Sequence, residues 1–165
     1  GYLKDAQATE ALWAGGWMHT GDIMKANPDG TLCFVDRRKN IVRRSGENIA
    51  AIEVEAAIAD HPAVARVAVL AALDPLRGEE VLAVVVPAAG FEPGEALART
   101  LFGHCAARLA YYKLPGFVTF VATIPMTSTQ KVRKAELVQL AADPIAHPGT
   151  IDLRTLKQGS RHARR

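Results

Sequence analysis

One lysine stands out for its setting. The segment Pro125-Met126-Thr127-Ser128-Thr129-Gln130-Lys131-Val132-Arg133-Lys134 is turn-forming and rich in hydroxyls, and it delivers Lys131 just before a helix-like run over residues 135–140. A lysine on a short tether is a movable positive charge. It suits a phosphate or a developing oxyanion, which need a point charge without bidentate geometry. Read alone, Lys131 fits the description of an ordinary solvated lysine at least as well, and what decides is whether the rest of the chain offers a nucleotide. Three other positions bear on that. Asp22 closes the Gly turn Thr20-Gly21-Asp22, where it can accept from both hydroxyls of a ribose or bond its own backbone. Arg37 follows a strand-like run and can meet ribose or phosphate, or pair on the surface with Asp36. Gly46, between Ser45 and Glu47, either permits close approach of a ligand to the backbone or serves a plain turn.

Several elements must hold these groups. Residues 6–14 read as a short helix that Gly15-Gly16 stops. Asn27-Pro28-Asp29-Gly30 is a strong turn signal, so residues 22–36 read as a hairpin. Asp36-Arg37-Arg38-Lys39-Asn40 is a charged junction. Beyond it, residues 41–44 are strand-like and Ser45-Gly46-Glu47-Asn48 breaks them. A helix over 49–60 ends at His61-Pro62. Strands follow at 64–70 and 81–86, separated by a loop, Asp74-Pro75-Leu76-Arg77-Gly78-Glu79. An amphipathic helix covers 95–109, with Leu97, Leu101, Cys105 and Leu109 on one stripe. Residues 117–121 form a strand, and the Lys131 loop and a last helix complete the series. From Asn40 the order is β-α-β-β-α-β-α, an α+β pattern with a small sheet flanked by helices.

The 165 residues bound one domain, or one domain with an appendage. Twenty basic against 17 acidic side chains give a net charge of +3, too balanced to indicate nucleic acid. The basic excess collects in Arg154, Lys157, Arg161, Arg164 and Arg165 without an aromatic neighbour for base stacking, so residues 142–165 read as a flexible, solvated basic tail. Cys33 and Cys105 are far apart and the five histidines lack ligand spacing, which points to a reduced, cytoplasmic chain without a metal site of its own. No apolar run is long enough for a membrane span and no signal peptide is visible. The first residues, Gly-Tyr-Leu-Lys-Asp, read as the interior of a longer protein.

Six motifs stand in order: Thr20-Gly21-Asp22; Asp36-Arg37 with Lys39-Asn40; Arg43 with Ser45-Gly46-Glu47-Asn48-Ile49 and Glu53-Val54-Glu55; Asp74-Pro75 with Arg77-Gly78-Glu79; Tyr112-Lys113 with Pro115; and Pro125, Thr127 and Lys131. Together they resemble the C-terminal part of the adenylate-forming enzymes, which include acyl-CoA synthetases, peptide-synthetase adenylation domains and beetle luciferases. The likeness runs over residues 1 to about 140 and is strongest to acyl-CoA ligases of the carnitine- or crotonobetaine-CoA type. It implies a reaction of a small-molecule carboxylate with ATP to give an acyl-adenylate and pyrophosphate, followed by displacement of AMP by CoA.

By matched position, Asp22 would hold the ribose hydroxyls, Arg37 would contact ribose or phosphate, and Lys39 would be the hinge of a mobile C-terminal domain. Lys131 would be catalytic, bridging the carboxylate and the α-phosphate of ATP or AMP. Ser45, Gly46 and Glu47 would line the pantetheine passage, with Arg77 and Lys113 meeting the CoA phosphates. The implied division is residues 1–38 as the end of a large N-terminal domain, 39–141 as the mobile lid, and 142–165 as the tail. ATP with Mg2+ and the acyl pocket would belong to that N-terminal domain, the chain's expected partner, so the chain alone is expected not to adenylate. A domain that loads a carrier-protein thiol, and a non-catalytic module binding polyanions through 154–165, remain as alternatives. One position departs from the family: Gln130 stands where Gly is usual. Gln adopts positive φ at a cost, so the loop is expected to enter Lys131 in a more ordinary conformation.

Overall fold

The structure, a computed structural model, describes residues 1–162. The chain divides into two compact units, Gly1–Lys39 and Asn40–Arg165.

In the first unit, helix α1 (Ala6–Leu12) starts at Asp5, whose carboxylate accepts from the Ala8 amide at 2.9 Å. Gly15 and Gly16, both at positive φ, end the helical stretch. Strands β1 (Asp22–Ala26) and β2 (Leu32–Arg37) pair antiparallel. Their turn closes through Gly30 N to Asn27 O at 3.0 Å, with Asp29 accepting from the amide and hydroxyl of Thr31. Residues 38–40 form one 3-10 turn.

The second unit is α+β, a sheet with helices on both faces. It runs β3 (Ile41–Arg44), β4 (Glu47–Ala50), α2 (Ala51–Ala59), β5 (Val64–Asp74), β6 (Gly78–Pro87), α3 (Glu95–Ala106), β7 (Phe117–Phe120), α4 (Val138–Ala142), β8 (Thr150–Asp152) and α5 (Arg154–His162). Strand β6 is the spine. It pairs antiparallel with β5 along its whole length and parallel with β7 over Leu82–Val85, and it meets β3 at Gly78–Arg44. The parallel β6–β7 pair needs a crossover, and α3 supplies it.

Period-two alternation splits β6 between two cores. Val81, Ala83 and Val85 face a cluster with Val54 and Ile58 of α2 and Leu97, Leu101, Phe102 and Cys105 of α3. Leu82 and Val84 face Ala68, Leu70, Phe117, Ile124, Leu137 and Ala141 on the other side. Burial pushes the Cys105 thiol up to about 11, so it behaves as a small apolar group.

Two expectations change. Residues 45–48 do not simply end a strand. Ser45 and Gly46 have φ of 49° and 87°, the positive pair that a two-residue hairpin turn requires, and β4 leaves the turn paired along β3. The larger correction concerns the basic tail. Residues 150–152 add β8 to the edge of β7, Leu153 is buried, and α5 follows. Arg154 and Lys157, expected to be solvated, are tied into the body of the unit. Arg164 and Arg165 lie outside the described residues.

Candidate functional site

Lys131 sits on a closed loop. The bridge Met126–Val132 and the Arg133 N to Pro125 O bond at 2.9 Å seal its base. Inside, Thr127 staples the turn: its amide donates to Lys131 O at 2.8 Å and its hydroxyl accepts from Lys131 N at 3.0 Å. Gln130 has φ 62°, so the expectation of an ordinary conformation is overturned. The Gln130 N to Thr127 O bond at 3.0 Å and the Thr127 staple hold the left-handed turn without glycine. The result is an exposed Lys131 whose ammonium, among the described residues, has no hydrogen-bond or ion-pair partner.

Ser45, Glu47 and Arg77 line one cleft of 430 Å³, together with Arg44, Leu76, Tyr111, Lys157 and Gln158. Two contacts build this wall. Ser45 N donates to Arg77 O at 3.0 Å, tying the β3–β4 turn to the β5–β6 turn. Asp74 Oδ1 accepts from the amides of Leu76 and Arg77 at 3.0 and 2.8 Å, which fixes the Arg77 backbone. The Arg77 guanidinium has no partner among the described residues. Gly46 shapes the same turn, and a Cβ there would meet open space, so its φ is what demands glycine. Lys113 is not brought to this wall. Its ammonium holds Glu53 at 2.6 and 2.7 Å and lies 5.8 Å from the Tyr112 ring centroid.

In the first unit, Asp22 and Arg37 face each other across β1 and β2. Arg37 Nε lies 3.1 Å from Asp22 Oδ1, an ion pair that stops short of hydrogen-bond geometry, so this buried oxygen is left without a donor. Arg37 thus pairs with Asp22 rather than Asp36, which is buried and accepts from the Arg37 amide at 2.7 Å. Lys39 is exposed and is the last residue of its unit.

Sequence reasoning missed what stands behind the cleft. Glu80 is buried and accepts from Arg44 Nε at 2.6 Å and Lys157 Nζ at 2.5 Å. Lys157 also donates to Leu114 O at 2.6 Å. Burial pushes the Lys157 ammonium down to about 8; Glu80 pulls it up, and Arg44 and Arg77 push it further down. Beside it, Arg154 reaches Asp74 at 2.9 Å and Asp152 at 2.7 Å. Burial raises the Asp74 carboxyl, but Arg154 and the amides of Arg77 and Leu76 outweigh it and leave the group below its ordinary value. No signal in the sequence marks Glu80 as the partner of a lysine 77 positions away.

Among the described residues no group of three or more His, Cys, Asp or Glu side chains is arranged to hold a metal ion. Nor is any described helix long and apolar enough to cross a membrane.

Residues 53–131 match the family model of the AMP-binding enzyme C-terminal domain. The chain is 38% identical to the peroxisomal trans-cinnamate:CoA ligase of Petunia hybrida over 141 residues, covering 86% of this chain and 24% of the relative. It is also 38% identical to the crotonobetaine/carnitine–CoA ligase of Proteus mirabilis over 138 residues, covering 82% and 26%. The equal identities favour neither acyl group. Among solved structures, the anthranilate CoA ligase AuaEII in complex with anthranoyl-AMP superposes with a TM-score of 0.76 at 29% identity, covering 88% of this chain and 28% of that one. The chain spans about a quarter of the length of the curated relatives it matches. Residues 53–131 therefore carry an AMP-binding enzyme C-terminal domain, and the chain around them is similar to the corresponding part of CoA ligases.

Proposed function

We propose that this chain is the C-terminal part of an ATP-dependent acyl-CoA ligase and that Lys131 is its catalytic cation. The observation that carries the reading is an exposed ammonium without a partner on a stapled loop. In the first step the substrate carboxylate attacks the α-phosphorus of ATP, and pyrophosphate leaves. The two reactants are anions, and Lys131 between them lowers their repulsion and stabilises charge on the phosphoryl oxygens. Asp22 is the carboxylate proposed to accept from a ribose hydroxyl, with Arg37 beside it. ATP and Mg2+ would be held by an N-terminal domain, the partner of this chain.

In the second step the CoA thiol adds to the acyl carbon, AMP leaves with the electron pair of the acyl–oxygen bond, and the thiol proton passes to solvent. The cleft of Ser45, Glu47 and Arg77 suits CoA, with Gly46 shaping the entry and Arg77 offering an unpaired guanidinium to a phosphate. Lys113 joins only by leaving Glu53. Lys39, at the boundary between the units, is the proposed hinge that lets the unit present Lys131 in one step and the cleft in the other.

The test uses the intact ligase with trans-cinnamate, crotonobetaine and anthranilate as substrates. Lys131→Ala should lower pyrophosphate release by about 100-fold or more, while thioester formation from supplied acyl-adenylate stays within a few-fold. Equal loss of both half-reactions would sink the assignment. Arg77→Ala should raise the apparent KM for CoA with kcat little changed. An unchanged KM would favour a carrier-protein thiol as acceptor, since a tethered carrier presents no nucleotide to Arg77.

A further inference from the structure

Lys134, three residues beyond Lys131, is not a surface charge. Its ammonium lies 2.7 Å from Glu55 Oε1 on α2 and donates to the Val69 carbonyl on β5 at 3.0 Å. The same Glu55 oxygen accepts from the Val69 amide at 2.8 Å. Both side chains are about three-quarters buried. One lysine, one carboxylate and one peptide group of β5 thus form a closed set, which fixes the chain where it leaves the Lys131 loop. Other ties act on the same base: Arg66 of β5 reaches Met126 Sδ, and Ile124 and Leu137, on either side of the loop, are buried in one cluster. The internal hydrogen bonds of Thr127 make the loop stiff within itself. The Glu55–Lys134 set decides where that stiff loop points.

We propose that Glu55 and Lys134 are positioning residues for Lys131: they lock the base of its loop to α2 and β5, so that Lys131 is delivered by movement of the whole unit and not by motion of its own tether. The proposal rests on the reading of Lys131 as the catalytic cation. A locked loop sets the direction of the ammonium within the unit and leaves the change of pose between the two steps to the hinge at Lys39. Neither residue touches substrate in this scheme.

Amide hydrogen exchange on the 165-residue protein tests it. Lys134→Met and Glu55→Gln should each speed exchange over residues 125–133 by about 10-fold, with β5 and β6 unchanged, and Lys134→Arg should restore protection. Glu55→Gln keeps an acceptor for the Val69 amide, so it removes the charge with little risk to folding. In the intact ligase, with the same three carboxylates, Lys134→Met should lower kcat for pyrophosphate release by about 10-fold. It should leave KM for ATP and thioester formation from supplied acyl-adenylate within about two-fold. Exchange that is unchanged at the loop, or raised equally across β5 and β6, overturns the proposal, as does an equal fall in both half-reactions. Retention of pyrophosphate release by Lys131→Ala is a different failure: it removes the catalytic reading and leaves the exchange result standing as a statement about the loop.

Discussion

At Gln130 the structure keeps a conformation that the residue type disfavours. A side chain at φ 62° costs on the order of 1 kcal/mol, more when it is β-branched. The hydrogen bonds from Gln130 N to Thr127 O and from Lys131 N to Thr127 Oγ1 offset that cost. Gln130→Val should therefore destabilise the protein by about 1–2 kcal/mol in urea unfolding, and an unchanged midpoint would mean that the turn relaxes freely. Lys157 presents the opposite case, a charged side chain that is buried. Lys157→Ala would leave Glu80 buried with Arg44 and the Val81 amide as its remaining donors, and should cost about 3 kcal/mol. The lowered pKa of Lys157 fixes a sign as well. Between pH 8 and the ordinary lysine value the unfolded chain holds a proton that the folded chain has shed, so this group adds stability as pH rises through that window. Stability of the wild type relative to Lys157→Met should rise over the same interval, and a flat difference would refute the titration. Asp74 acts at the other end. Its lowered carboxyl contributes stability above the ordinary aspartate pKa, and that contribution is lost as pH falls through the folded value.

Among the elements, β8 and α5 were the least legible. The sequence 150–162 has no long apolar stripe, and its basic residues look solvated. What makes it structural is a set of distant partners: Leu153 enters the main core, Arg154 reaches Asp74, and Lys157 reaches Glu80. The two ion pairs span 80 and 77 positions and leave no local periodicity. Deleting residues 150–165 would uncover β7, expose Leu114 and strand Glu80 against a lost lysine. The truncated protein should lose cooperative unfolding, and a truncation that unfolds within 1 kcal/mol of the wild type would show the extension to be dispensable. By contrast the β1–β2 hairpin, α2, α3, β5 and β6 were legible, because turn chemistry and apolar alternation are local. The β3–β4 hairpin fell between these cases: Ser45-Gly46 was visible as a break, but its role as a two-residue turn depended on β4 finding β3.

For the whole molecule, the two units differ in how they are held. Asn40–Arg165 has two cores on either side of one sheet. Gly1–Lys39 has one helix without a buried residue and a two-stranded ribbon, and it leaves Trp13, Trp17, Leu32 and Phe34 exposed, Trp17 at 80%. Two strands alone are marginal in water. Both tryptophans lie in this unit, so heating the 165-residue protein should show fluorescence changing before the circular dichroism of the second unit. Coincident transitions would contradict that order.

The sequence by itself determined the α+β class and the family resemblance, and it singled out Lys131, Asp22, Arg37 and the break at Ser45–Glu47, because these rest on residue types at short spacing. Only the tertiary structure decided which of them meet. It brought Ser45, Glu47 and Arg77 to one cleft, turned Lys113 to Glu53, paired Arg37 with Asp22 and turned a presumed tail into a strand and a helix. The physical reason is that a charge settles where its partner and its burial allow, and both are set by chain segments that sequence spacing does not connect.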